Sequence, residues 1–325
     1  MPTSRSSKIK VGITIGDPAG IGPLIALLAV KRLAGQAVFT LMGDRRVLIR
    51  AARAAKIRLP GANYLDLPNA DLRDFKFGDL RASHGRASLE YLDAALALLK
   101  AGQIDCLVTC PVSKEAINRS GVKFFGHTEY LAKATKSRDI VMMLLNDKIR
   151  FSLLTRHLPL KDVCANLKPA LIKRDLCNTV SGLQKFFALK RPRLIICGVN
   201  PHASDNGVIG QEERSILLPA IKELNRKFGR QLIFGPQSAD IAIARTAQGQ
   251  FDCAVASYHD QALIALKLTG FDRGVNLTLG LPFVRTSPLH GTAFDIAGKP
   301  GLANPASLVA AIELAIKCTL NRKNA

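Results

Sequence analysis

Short β-branched runs recur along this chain, each bounded by Gly, Pro or Asn and followed by a stretch rich in Ala, Leu and Lys. Strand-length runs alternating with helix-length stretches build βα units, whose strands pair in parallel beneath the helices. The predicted strands are Lys10–Ile15, Val38–Met42, Cys106–Cys110, Val141–Leu145, Phe151–Thr155, Leu194–Cys197 and Cys253–Ser257. Predicted helices include Ala87–Leu99, Pro169–Phe187, Glu212–Lys227 and Pro305–Leu320. The fold class is therefore α/β with largely parallel sheets. A chain of 325 residues with 48% hydrophobic side chains can bury two adjoining cores. It shows no internal repeat, no low-complexity segment and no Pro/Gly/Ser linker, so continuous secondary structure must join the lobes. The polar turn Lys136–Asp139 is the expected exit from the first lobe, and the last helix the expected return. This predicts a first domain of 1–138 plus 303–325 and a second of 139–302.

Composition removes several function classes. Apolar runs such as Leu24–Val30 and Ala94–Leu99 are too short to cross a bilayer, and the N-terminus lacks the apolar core of a signal peptide, so the expected location is the cytoplasm, with no membrane partner. The seven cysteines form no CxxC pair and sit mostly in apolar stretches, which suits reduced core thiols rather than disulfides or a thiolate-bound zinc. A net charge of +21 raises the question of a nucleic-acid partner. Against it, the basic residues are spread along the chain, aromatics are only 6% and Trp is absent, so nothing resembles a base-stacking surface. The densest cluster, Arg45, Arg46, Arg50, Arg53, Lys56 and Arg58, has the spacing of one solvated helix face.

The histidines carry the first chemical signal. Of six, five (His127, His157, His202, His259 and His290) follow a predicted strand or lie in loops rich in Gly, Pro, Asn or Thr. Ligands of open α/β sheets bind just past the carboxyl ends of strands. Three imidazoles from three such ends, His157, His202 and His259, make a facial site for a borderline divalent ion. His84 lies in a polar stretch outside every motif and is expected to tolerate replacement. Gly16-Asp17-Pro18-Ala19-Gly20-Ile21-Gly22-Pro23 follows a strand and precedes a helical stretch, where glycines let backbone amides approach an anion. It matches neither GxGxxG nor the lysine-bearing P-loop. In His290-Gly291-Thr292-Ala293-Phe294-Asp295, followed by Asn304-Pro305, a short acid beside small residues suits the paired hydroxyls of an adenosine ribose and repels a 2′-phosphate.

These blocks, with Cys110–Lys114, Phe125–Glu129, Thr155–Leu160, Gly198–Ala203, Tyr258–Gln261 and Arg273–Thr292, resemble the 4-hydroxythreonine-4-phosphate dehydrogenase family of vitamin B6 biosynthesis in one order along nearly the whole chain. A wider likeness is to the isocitrate and isopropylmalate dehydrogenases, which implies two α/β domains with a cleft between them. The resemblance implies that His157, His202 and His259 ligate one divalent ion (zinc, magnesium, cobalt or manganese). It implies that His127, Thr128, Lys267, Asn276 and Arg285 bind a phosphorylated substrate, and that Asp240 and Lys267 serve catalysis. His290, Gly291, Asp295 and Asn304 match the wider group's cofactor segment, with Asp295 favouring NAD over NADP. A homodimer with the active site at its interface is also implied. The chain departs from the family at Leu24, where an acid is usual, at Gln237-Ser238, and at Ser204-Asp205-Asn206, where Gly-Glu-Gly is usual.

The expected reaction is metal-dependent oxidation of 4-hydroxythreonine 4-phosphate by NAD, followed by decarboxylation of the β-keto acid to 3-amino-2-oxopropyl phosphate. A sister enzyme acting on 4-phosphoerythronate or 4-phosphothreonate would use the same ligands. A catalytically silent basic binding protein would have no reason to keep all three histidines.

Overall fold

A computed structural model describes residues 8–324, which divide into two units: 8–135 with Pro282–Lys323, and Lys136–Leu281. In chain order the first unit holds β1 (Lys10–Thr14), α1 (Gly22–Arg32), β2 (Val38–Gly43), α2 (Arg45–Ala54), β3 (Asn63–Asp66), α3 (Ala82–Lys100), β4 (Cys106–Thr109), α4 (Lys114–Arg119) and α5 (His127–Ala134). The second holds β5 (Val141–Leu145), β6 (Arg150–Leu153), α6 (Val163–Asn166), α7 (Pro169–Phe187), β7 (Leu194–Cys197), α8 (Leu218–Lys227), β8 (Ile233–Gln237), α9 (Ala239–Ala247), β9 (Cys253–Ala256), α10 (His259–Gly270) and β10 (Val275–Leu279). The chain then returns to the first unit with β11 (Val284–Pro288) and α11 (Ala306–Lys323).

In the first unit the strands run β3-β2-β1-β4-β11, every neighbouring pair parallel. Strands covered on both faces read as unbroken apolar runs, as in β4, all four residues of which are buried. Helix α3 buries Ala87, Tyr91, Leu92 and Ala95, a stripe at helical spacing, and packs on α4 and on β1, β2 and β4, with Leu92 clustered against Ile117 and Phe124. Helix α11 packs on β11, β4 and β1. Helix α2 buries Val47, Leu48, Ala51 and Ala52 and leaves Arg45, Arg46, Arg50 and Arg53 exposed as expected, but it ends at Ala54, so Lys56 and Arg58 lie beyond the expected helix face. The expected boundary at 302/303 is corrected by β11: Val284, Arg285 and Thr286 pair in parallel with Cys106, Leu107 and Val108. Those ladder bonds hold Pro282 onwards in the first unit.

In the second unit the order is β10-β5-β6-β9-β7-β8; the pairs β10–β5 and β5–β6 are antiparallel and the rest parallel. Helix α7 spans the predicted residues, with Pro169 in its first turn, where a missing N–H costs nothing. The predicted helix from Glu212 opens instead with a π turn at Glu213–Leu217 before α8. Among the described residues no helix is long and apolar enough to cross a membrane.

Candidate active site

The first unit gathers its candidate groups where its parallel strands end. After β1 the chain turns at Gly16, whose φ of 73° is left-handed and whose missing side chain leaves room for Pro111 O: a Cβ would lie 2.2 Å from that oxygen. The turn is tied to the segment after β11 by Ile21 N donating to Thr292 O at 2.9 Å.

At the carboxyl end of β4 lies a cationic cluster, which Arg285 reaches from the second position of β11. Arg285 is 1% exposed, and its Nη2 donates to Thr109 Oγ1 at 2.6 Å. Burial pushes its guanidinium down to about 10, and the charge of Glu129 opposes that shift. His127 opens α5 with its Nε2 enclosed and without a hydrogen-bond partner. Burial first, then the charges of Arg285 and Lys114, hold its imidazole well below the usual histidine range, so it stays neutral near pH 7. Thr128 beside it is buried. A Cβ at Gly126, just before them, would sit 2.9 Å from Glu129 Oε2, the movable end of a side chain. A buried guanidinium, a neutral imidazole and the first turn of a helix suit a phosphate or carboxylate. Thr109, Lys114 and Glu129 carry no predicted role; Lys114 and Glu129 fall inside the blocks Cys110–Lys114 and Phe125–Glu129, the only signal that points to them.

In the expected cofactor segment, His290 Nδ1 lies 3.0 Å from Gly291 O and Asp295 is exposed. Asn304 is partly committed elsewhere: its Oδ1 accepts Ala306 N at 2.9 Å, capping α11 and leaving its amide hydrogens for a ligand.

In the second unit strand order does what sequence spacing does not reveal. The parallel strands stand side by side as β6-β9-β7-β8, and their carboxyl ends lead to His157, His259, His202 and Asp240 respectively. Neighbouring strands are about 4.8 Å apart, and the rings of His157 and His259 are 5.4 Å apart. Asp260 Oδ1 lies 2.7 Å from His259 Nδ1. A carboxylate only accepts, so Nδ1 carries the hydrogen and the Nε2 lone pair is left for a ligand, the usual outer-sphere arrangement of a metal-binding imidazole. Asp240 accepts from Ser238 Oγ, which holds its carboxyl below the usual carboxylate range, and the charge of His202 acts in the same direction. Asp240, His259 and Asp260 line one cavity of about 570 Å³ with Arg156 and Tyr258. His202 stands on a turn in which His202, Ala203, Ser204, Asp205 and Asn206 all have φ between 44° and 68°. Among the described residues no three His, Cys, Asp or Glu side chains converge as a ligand set: the structure brings His157 and His259 together and does not complete the expected trio with His202. Asn276 lies on β10 with its Oδ1 buried and without a partner, and Lys267 is exposed near the end of α10, its Nζ 5.7 Å from the Phe271 ring centre.

His84 overturns its expected role as a dispensable residue. It is fully buried in α3, its Nε2 3.1 Å from Asp71 O and its ring against Phe75.

Residues 34–315 match the family described as pyridoxal phosphate biosynthetic protein PdxA. A 4-hydroxythreonine-4-phosphate dehydrogenase of Sulfurihydrogenibium sp. is 39% identical over 97% of this chain and 100% of its own length. The crystal structure of the 4-hydroxythreonine-4-phosphate dehydrogenase from Klebsiella pneumoniae superposes with a TM-score of 0.86 at 34% identity, covering 98% of this chain and 99% of that one. A terephthalate 1,2-cis-dihydrodioldehydrogenase from Burkholderia xenovorans superposes with a TM-score of 0.66 at 33% identity, over 95% and 98% of the two chains.

Proposed function

The chain belongs to the 4-hydroxythreonine-4-phosphate dehydrogenase family of pyridoxal phosphate biosynthesis, and from that membership we propose that it oxidises 4-hydroxythreonine 4-phosphate with NAD and one divalent ion. The observation that carries this proposal is the row of strand ends β6, β9, β7 and β8, which lead to His157, His259, His202 and Asp240. Borderline imidazole donors with a carboxylate beside them suit zinc, cobalt or manganese better than an all-oxygen site would. His157 and His259 would hold the ion as a pair, with His202 as third ligand.

A bound ion would lower the pKa of the substrate hydroxyl, and a bound nicotinamide would supply the acceptor for the hydride that leaves the carbinol carbon. Arg285 and the first turn of α5 bind an anionic end of the substrate, and His127, kept neutral, donates or accepts one hydrogen bond there without adding charge. Lys267 and Asn276 supply further polar contacts, Lys267 as the group that moves the proton and Asp240 as a fixed negative charge. The β-keto acid product then loses carbon dioxide to give 3-amino-2-oxopropyl phosphate. His290, Gly291, Asp295 and Asn304 hold the cofactor, and the exposed Asp295 carboxylate disfavours a 2′-phosphate. A second copy of the chain covers the apolar surface at the cavity that contains His259: Leu158, Leu160, Ile264 and Leu268 line it and are 42%, 71%, 63% and 83% exposed.

A second reading, oxidation of a carboxylated cis-dihydrodiol, is favoured by the dihydrodiol dehydrogenase at 33% identity, although its TM-score of 0.66 is below the 0.86 of the phosphate enzyme. Turnover of 4-hydroxythreonine 4-phosphate, 4-phosphoerythronate, 4-phosphothreonate and the terephthalate dihydrodiol, each with NAD and NADP, decides. The highest kcat/KM should belong to 4-hydroxythreonine 4-phosphate with NAD. A higher value for any other substrate would overturn the assignment, and an active species of monomer size would overturn the dimer.

A further inference from the structure

Behind the glycine turn lies a group of buried polar side chains that the proposed chemistry does not use. Asp17, His84 and Tyr91 are all 0% exposed, and Asp17 Oδ2, His84 Nδ1 and the Tyr91 hydroxyl have no hydrogen-bond partner. Burying polar atoms unsatisfied costs about 1–3 kcal/mol each, so their clustering calls for a physical reason. The three lie close enough for electrostatic coupling, Asp17 with both His84 and Tyr91. Asp17 also anchors the turn. Its Oδ1 accepts Ala19 N at 2.9 Å, its backbone oxygen accepts Gly20 N at 3.0 Å, and Gly78 N donates to Ala19 O at 2.8 Å.

Donor and acceptor logic limits how the group is satisfied. Asp71 O only accepts, so His84 Nε2 carries the hydrogen and Nδ1 presents a lone pair. An ionised Asp17 Oδ2 presents lone pairs as well, and two acceptors need a donor between them. One internal water can donate to both and accept from the Tyr91 hydroxyl, the three bonds usual for a buried water.

We propose that His84 is a positioning residue for the glycine turn: through its Nδ1, linked by one internal water to Asp17 Oδ2, it holds the carboxylate that fixes Ala19, Gly20 and Ile21 against the segment beginning at His290. Its consequence for cofactor affinity rests on the assignment of that segment to NAD given above. Burial already pushes Asp17 up to about 6, so a side chain that leaves Oδ2 without a partner releases the carboxylate and loosens the turn.

The two ring nitrogens can be separated by substitution. His84→Asn keeps an acceptor near the Nδ1 position, His84→Gln keeps a donor near the Nε2 position and its bond to Asp71 O, and His84→Leu removes both. Amide hydrogen exchange across 16–22, with α7 as internal reference, reports on the turn without any cofactor. Exchange in 16–22 should quicken by about tenfold or more in the Gln and Leu variants and stay within about threefold of the parent in Asn. The KM for NAD should rise in the same order while kcat changes less. If Leu does not fold, the Asn and Gln pair still decides. Parent-like exchange in Gln with Leu-like exchange in Asn would assign the role to the Asp71 bond and overturn the proposal, as would unchanged exchange in all three. The expected exchange pattern with an unchanged KM for NAD would uphold the positioning role and overturn the cofactor assignment.

Discussion

Thr109 Oγ1 accepts a 2.6 Å hydrogen bond from Nη2 of the fully buried Arg285, so a hydroxyl at the end of β4 aims the guanidinium carried by β11. Thr109→Val keeps the shape and removes the acceptor. Hydrogen bonds to charged groups are worth about 1.5–3 kcal/mol, which predicts a KM for the phosphorylated substrate raised by about tenfold or more with a smaller change in kcat. Thr109→Ser should restore most of it. Steady-state kinetics of the two variants test this, and an unaltered KM in the valine variant would show that Arg285 is aimed by other contacts.

The pairing of His259 Nδ1 with Asp260 predicts how metal affinity responds to a change outside the ligand set. Asp260→Asn weakens the bond that orients the ring, and such outer-sphere losses typically lower metal affinity by about 10- to 100-fold. Exhaustive chelation should abolish activity, and zinc, cobalt or manganese should restore it. Equilibrium dialysis with elemental analysis measures both effects; full turnover by protein shown to be metal-free would remove the ion from the mechanism.

His127 predicts a pH dependence of stability. Unfolded, its imidazole takes a proton near 6.5; folded, burial holds its pKa well below that. The unfolded chain therefore binds more protons below 6.5, so this residue subtracts stability as pH falls through 6.5 and subtracts nothing above it. The loss grows as pH falls further below 6.5. Urea midpoints at both ends of this window should differ less in His127→Gln than in the parent, and equal slopes would contradict the neutral assignment.

Ser204 has φ 68° and Asn206 φ 58°, at positions where the family usually has glycine. The left-handed conformation costs a non-glycine residue about 1–2 kcal/mol, less for asparagine. Ser204→Gly should therefore stabilise the chain by about 1 kcal/mol, a rise in Tm of roughly 2 °C for a protein of this size, and Asn206→Gly by less. Calorimetry of the single variants is the check. A lower Tm in both would mean that the turn is not strained as its angles imply.

The elements legible from sequence are those whose burial is local and uniform. Val141–Leu145 is buried at every position and reads as an apolar run, and α7 announces itself through Pro169 and helical spacing. Strands β3, β8, β10 and β11 escaped: β3 has no fully buried residue, and Gly235, Pro236, Asn276, Arg285 and Thr286 look like loop or surface residues in the sequence. The same holds for the site. Strand ends singled out His157, His202 and His259, because ligands of parallel sheets bind just past the strands, whereas Asp240 entered only through the family resemblance, since β8 does not read as a strand. Their adjacency was not legible, since it depends on the order β6-β9-β7-β8, which local sequence does not encode. Arg285 and His84 make the same point about burial. Each reads as a solvated polar residue, yet Arg285 is enclosed by β4 and α5, far from it in sequence, and His84 by the preceding loop that carries Asp71 and Phe75. Side-chain type and spacing follow from sequence alone; solvent exclusion, which sets the pKa of His127 and Asp17, exists only once non-local elements pack.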